Sequence, residues 1–299
     1  MKKTDSRNMR QEFMHCQAAI EQRLSGFFED KHAGGYAKLK ESMRYSLLSG
    51  GKRIRAVICI KFCEAAGGTA ENALDAACAI EMLHTYSLIH DDLPCMDNSG
   101  MRRGNPSNHI TFGEFTATLA GDALQAAAFE TLLASGLPPA VVIEMARILA
   151  EAAGIHGICG GQFLDLNGED KPLTAQELTE IHSLKTAALI SASARIGVTA
   201  AGGTEKQLKA AEEYALAVGL AFQVRDDVLD IVSCSEKLGK PAGSDMASNK
   251  TTFAGLMGLP ACERLIEAKT FEAVTALKGA FDNPGFLMYL ANMLSDREN

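Results

Sequence analysis

The chain has 299 residues, 47% of them hydrophobic, a mean hydropathy near zero and a formal net charge of −8. That is enough apolar material for a sizeable core, and the acidic balance argues against nucleic acid as a partner. Asp122, Glu130, Glu144, Arg147 and Glu151 interrupt the most hydrophobic stretch, so no run of about 18 apolar residues occurs and no membrane span is expected.

Alanine, leucine, methionine and glutamate recur at helical spacing, and alternating strand-like runs are nearly absent, which predicts an all-α chain. Helices are expected at about 8–25, 35–48, 53–66, 70–92, 112–134, 138–152, 175–200, 204–232, 260–279 and 284–294. Gly50-Gly51, Gly67-Gly68, Pro138-Pro139, Gly160-Gly161, Gly202-Gly203 and Pro284-Gly285 punctuate that series. No low-complexity linker divides it, so residues 1–299 are read as one domain. The basic start, Lys2-Lys3, runs into Gln11, Glu12 and His15 rather than an apolar segment, so a signal peptide is not expected and the cytoplasm is the expected compartment. The eight cysteines form no Cys-x-x-Cys pair, and Cys59 and Cys63 have no zinc-spaced partners; free thiols are expected.

Taken in chain order, the first chemical feature is Gly50-Gly51-Lys52-Arg53-Ile54-Arg55, which sets cations at a helix N-terminus where backbone N–H groups also favour an anion. The 70–92 helix carries His84 and ends in Asp91-Asp92-Leu93-Pro94-Cys95-Met96-Asp97. Pro94 disfavours helix at Leu93, so the chain must bulge there to bring Asp97 back towards Asp91. Arg102-Arg103 follows at once. Gly160-Gly161-Gln162-Phe163-Leu164-Asp165 sets an amide and a carboxylate three residues apart in apolar sequence, a pattern that fits either a capped turn or support for a site. Lys185-Thr186 lies within the 175–200 helix. The 204–232 helix ends in Asp226-Asp227-Val228-Leu229-Asp230, whose spacing puts three carboxylates on one face. Lys240 and Lys250 follow in a loop, where solvated lysine is the ordinary case.

Carboxylates so close raise one another's pKa unless a cation neutralises them. Two such clusters at the ends of two long helices therefore predict divalent metal, and all-oxygen donors point to magnesium with a phosphorylated ligand.

Taken together, Gly51-Lys52-Arg53-Ile54-Arg55, His84 through Asp97 with Arg102-Arg103-Gly104, Gly161-Gln162 with Asp165, Lys185-Thr186, and Phe222-Gln223 with Asp226 through Asp230 resemble the ordered motifs of trans-isoprenyl diphosphate synthases. The four residues between Asp92 and Asp97 resemble the bacterial farnesyl-forming members. The resemblance implies a single bundle of about ten helices around a deep central cavity, usually a homodimer. It implies about three Mg2+ ions, replaceable by Mn2+, held by Asp91, Asp92, Asp97, Asp226, Asp227 and Asp230 on an allylic diphosphate. Arg102, Lys185, Thr186, Gln223, Lys240 and Lys250 would face that substrate. Isopentenyl diphosphate would occupy a metal-free pocket of Gly51, Lys52, Arg55, His84 and Arg103, with Gln162 and Asp165 in support.

Product length should depend on what lies below Asp91. Ser87 is one turn beneath it, and Tyr86 is five residues back, about 7.5 Å deeper. Ser87 shares the face of Asp91 whereas Tyr86 is rotated by well over a right angle from it, so periodicity alone would not choose Tyr86; the resemblance does, because an aromatic residue there is similar to that in enzymes that stop at farnesyl length. Geranyl or geranylgeranyl products remain open. Ser99-Gly100 and Asn105 depart from the acidic and lysine residues that relatives often carry. A terpene cyclase needs no second diphosphate pocket and usually has an aromatic cavity, whereas this chain has no tryptophan and 6% aromatics. A non-catalytic synthase subunit would show eroded aspartates, and both clusters are intact.

Overall fold

The computed structural model describes residues 3–29, 34–169, 171–237 and 251–296. Helices α1 (Lys3–Ser25), α2 (Ala37–Leu47), α3 (Ile54–Ala65) and α4 (Ala70–Asp91) precede a small antiparallel hairpin, β1 (Met101–Arg102) and β2 (Asn105–Pro106). Then come α5 (Asn108–Phe112), α6 (Glu114–Leu133), α7 (Pro139–Ala153) and α8 (Ile158–Asn167). Helix α9 (Ala175–His182) passes through a π-helical turn, Ser183–Ala187, into α10 (Ala188–Ala200). Helices α11 (Glu205–Lys237), α12 (Phe253–Met257), α13 (Leu259–Ala276) and α14 (Gly285–Ser295) follow.

The chain is all-α, as its periodicity predicts, with α4 at the centre. Ala73, Ala76, Ala77, Ala79, Ile80, Met82 and Leu83 bury several faces of that helix, which is the pattern of a helix surrounded by others. Its small residues let α3 and α6 approach closely, and α10 packs against α3 in the same way. Gly197 shows how tight the latter contact is: a Cβ there would lie 2.1 Å from the Cys59 carbonyl oxygen. A second cluster, built on Val224, Val228, Phe253, Cys262 and Ile266, fixes the acidic end of α11 against α12 and α13. Capping boxes set two of the starts, with Thr69 accepting from Asn72 N and Thr174 from Glu177 N.

Three sequence expectations change. The helix expected over 175–200 is broken by the π-helical turn, and Gly160-Gly161, read as punctuation, lies inside α8. The basic segment before α3 does not act as one unit. Arg53 turns inward, its side chain fully buried, and pairs with Glu21 at 2.6 Å and Glu81 at 3.1 Å while donating to the Leu47 carbonyl. A buried guanidinium needs such partners, so Arg53 joins α1, α2 and α4 rather than facing a ligand. The described cysteines are all free, as expected, and burial pushes the Cys16 and Cys63 thiols up to about 11. Among the described residues no helix is long and apolar enough to cross a membrane.

Candidate active site

At the end of α4 the bulge that Pro94 demands takes a definite form. Asp97 N donates to the Asp91 carbonyl at 2.9 Å, and Asn98 N donates to that of Leu93 at 3.1 Å. The loop therefore folds back and sets Asp97 beside Asp91. Burial raises the Asp91 carboxyl to about 6; Asp97 and Asp92 push it the same way, against the cations Lys185 and Arg102. Asp92 is buried and accepts from Arg102 Nε at 3.0 and 3.2 Å, so Arg102 both shields the cluster and fixes one of its members. Ser99 lies just before β1 and Asn105 begins β2, bonded to the Met101 and Arg103 carbonyls respectively.

Asp226, Asp227 and Asp230 line one open cleft together with Asp165, Lys185, Thr186 and Gln223. The spacing of three carboxylates on one face is realised. Asp227 is nevertheless nearly buried, and one of its oxygens accepts from Phe253 N at 2.7 Å, which caps α12. Lys185 Nζ meets Asp165 at 2.7 Å, and its charge reaches Asp91, so this lysine stands between the two clusters. Thr186 donates to the Gln223 side-chain oxygen at 3.0 Å. The π-helical turn widens the backbone where Lys185 and Thr186 project, a device common at functional sites. Gln162 is buried beneath them, and its amide finds no hydrogen-bond partner within the protein. Lys240 and Lys250 lie outside the described residues.

A second concentration of charge is basic. Arg55 Nη1 lies 3.4 Å from His84 Nε2. The Arg103 guanidinium covers Gly51, where a Cβ would come within 2.9 Å of Arg103 Cζ, and it bonds the Gly50 carbonyl. Gly51 has φ 128°, a left-handed conformation that glycine adopts freely. Burial lowers the Arg55 pKa, opposed by Glu81 and helped by Arg103, and burial, then Arg55 and the other arginines, lowers that of His84. The carboxylates acting there, Glu81 and Glu21, are held by Arg53. Lys52 is exposed at the edge of this pocket. The structure thus brings Gly51, Arg55, His84 and Arg103 together, with Lys52 next to Gly51 in the chain, and Arg102, next to Arg103 in the hairpin, bonds the acidic cluster at Asp92.

Tyr86 is buried, with its hydroxyl 3.3 Å from Cys159 Sγ, and the Ser87 hydroxyl turns back to the His84 carbonyl at 2.9 Å. Sequence reasoning missed Cys159 and His182. His182 also lines the cleft and packs against Phe253. Its position three residues before Lys185 on a helix was the available signal; Cys159 stands three before Gln162 in the same way.

The donor set fits magnesium. All six aspartates offer oxygen, and crowding at Asp91 calls for a cation. Among the described residues no three side chains close on one point to hold a metal by themselves, which suits an ion that keeps waters and phosphate oxygens in its shell.

Residues 36–280 match the model of the polyprenyl synthetase family. The chain belongs to that family. It is 42% identical to the farnesyl diphosphate synthase of Geobacillus stearothermophilus, over 94% of this chain and 95% of that one. It is 45% identical to a heterodimeric geranylgeranyl pyrophosphate synthase large subunit of Arabidopsis thaliana, over 88% of this chain and 73% of that one. The geranyltransferase of Helicobacter pylori, solved with magnesium and isoprenyl diphosphate, superposes with a TM-score of 0.81 at 34% identity, covering 95% of each chain. As a polyprenyl synthetase this chain has the isoprenoid synthase fold, and its activity is that of a trans-prenyl diphosphate synthase.

Proposed function

We propose that the chain condenses dimethylallyl or geranyl diphosphate with isopentenyl diphosphate, giving mainly (2E,6E)-farnesyl diphosphate and pyrophosphate. The observation that carries this reading is the pair of opposite charge concentrations, one acidic around Asp91 and one basic around Arg55, His84 and Arg103, with Arg102 between them. Each is crowded with like charge, and each is relieved by a ligand: the acidic side by magnesium with a diphosphate, the basic side by a diphosphate alone.

Asp91, Asp92, Asp97, Asp226, Asp227 and Asp230 would hold about three ions, magnesium or in its place manganese. When bound, magnesium supplies Lewis-acid stabilisation of the negative charge on the departing diphosphate. Lys185 and Arg102, with Lys240 and Lys250, add fixed positive charge for the same group. As the allylic C–O bond breaks, its electron pair stays with the diphosphate and a carbocation forms. Thr186 and Gln223 present dipoles to that cation. Gly51, Lys52, Arg55, His84 and Arg103 hold isopentenyl diphosphate so that its double bond attacks the cation, and proximity favours this over hydrolysis. A proton leaves to the pyrophosphate, and the alkene is restored. Gln162 and Asp165 support the wall, Asp165 by orienting Lys185.

Tyr86 favours farnesyl over geranylgeranyl, the product named for the Arabidopsis relative. It is bulky, buried and about 7.5 Å below Asp91, where a growing chain would end; Ser87, turned back on its own helix, blocks less. Residues 1–299 act as one catalytic unit, and the main core running from Cys16 to Leu294 supports that. Exposed Ile110, Phe115 and Leu119 on α5 and α6 fit a homodimer contact, and free thiols fit a cytoplasmic setting. The test is incubation with magnesium, isopentenyl diphosphate and an allylic primer, with product length read out. Failure to condense in a magnesium-dependent manner overturns the reading. Tyr86→Ala should lengthen the products, and unchanged length removes Tyr86 as the floor.

A further inference from the structure

The buried Tyr86 ring, proposed above as the floor, is held by residues outside the motifs, among them the exposed Cys159. Tyr86 and Asp91 are five residues apart on α4, about 7.5 Å along its axis, and Cys159 and Asp165 are six apart on α8, about 9 Å. The Tyr86 hydroxyl meets Cys159 Sγ at 3.3 Å, while Lys185 bonds Asp165 at 2.7 Å and its charge reaches Asp91. Both links run from α4 to α8 in the same order along the two helices. The two helices are thus joined at two levels, by charge at the mouth and by a thiol and a phenol below. Gln162 sits between those levels on α8, three residues from each.

The other side of the Tyr86 ring is fixed as well. The His90 ring meets it edge-on, with centroids 5.5 Å apart at 90°. His90 Nε2 donates to the Thr118 carbonyl at 3.0 Å and lies over Gly121, where a Cβ would be 2.2 Å away. The ring edge is thus locked against α6, and the hydroxyl end depends on Cys159.

We propose that Cys159 is a positioning residue for product length, its thiol holding the Tyr86 hydroxyl so that the ring stays across the gap between α4 and α8. This rests on Tyr86 being the floor. Without the thiol the hydroxyl end can swing aside while His90 keeps the rest of the ring, so the floor becomes leaky rather than absent. A hydroxyl can replace the thiol in this bond, because either can donate or accept and the hydroxyl does so more strongly.

The experiment compares product length for Cys159→Ala, Cys159→Ser, Tyr86→Phe, the double variant Cys159→Ala with Tyr86→Phe, and Tyr86→Ala, each in the full chain. The ratio of longer products to farnesyl diphosphate is the readout, since it is independent of total rate and of the amount of folded protein. Cys159→Ala and Tyr86→Phe should each raise that ratio roughly fivefold, as expected for loss of one modest hydrogen bond. The double variant should rise no further, and Cys159→Ser should match the parent. Tyr86→Ala lengthening products while Cys159→Ala or Tyr86→Phe leaves them unchanged overturns the positioning role alone. Cys159→Ser behaving like Cys159→Ala overturns it too. Tyr86→Ala with unchanged products overturns the floor and the positioning role together.

Discussion

Four guanidinium groups, of Arg55, Arg103, Arg53 and Arg102, act on the His84 imidazole, and burial removes the water that would shield it. Its pKa lies well below the ordinary 6.5, with burial the largest cause and Arg55 the next. Below pH 6.5 the unfolded chain binds a proton that the folded chain refuses, so stability falls as pH falls through that value. One proton contributes at most about 1.4 kcal/mol for each pH unit. Thermal melts between about pH 7.5 and about pH 5.5 should therefore show a drop that His84→Gln makes shallower. Equal slopes for the two proteins would show that His84 does not carry this term. The residue pattern placed His84 on the helix that ends at Asp91, but only the family resemblance set it in one pocket with Arg55, because residues so far apart meet only through the packing of α3 on α4. Arg53 and Arg55 show the same limit. Both were legible as base at a helix start, yet one is consumed by Glu21 and Glu81 and the other faces His84; that division depends on acids supplied by α1 and α4.

At the level of elements, the π-helical turn is what periodicity could not reveal. A 3.6-residue pattern runs smoothly through 175–200, and the widened turn at Ser183–Ala187 disturbs it too little to register. Helix α8 was hidden for a related reason. Glycine pairs usually end helices, but Gly161 serves close approach: a Cβ there would lie 2.2 Å from Lys185 N and 2.6 Å from its Cα. The backbone of α8 thus rests directly on the turn that carries Lys185 and Thr186. Gly161→Ala must push the two apart and disturb the 2.7 Å contact between Lys185 and Asp165. Overpacking of this kind costs about 1–3 kcal/mol, so denaturant unfolding should register a loss of that order. Turnover should fall by at least about tenfold in protein that is still folded, because a small misplacement of charged groups weakens catalysis disproportionately. A folded Gly161→Ala protein with parental kcat would show that α8 does not position Lys185.

On the scale of the whole molecule, the helical core follows from sequence because one aspartate cluster ends α4 and the other lies in the last third of α11, and helices of that length must pack side by side. What sequence could not supply is the gap between the clusters. Lys185 stands between them, and no three acidic side chains converge on one point among the described residues. On the proposed reading the two clusters are jaws that close on one diphosphate, so neither magnesium nor diphosphate alone should join them. Magnesium alone meets carboxylates too dispersed to strip its waters. Pyrophosphate alone meets Arg102 and Lys185 but also the repulsion of the aspartates around them. Present together, each removes the other's obstacle, so binding should be cooperative. A ligand pair bound only by the folded protein at about a hundredfold over its Kd adds about 2.7 kcal/mol of stability. Thermal shifts should accordingly be small with magnesium alone and small with pyrophosphate alone. With both they should exceed the sum of the two, and excess chelator should reverse them. A strictly additive response would mean that the two clusters bind independently, and the picture of two jaws closing on one diphosphate would have to be given up.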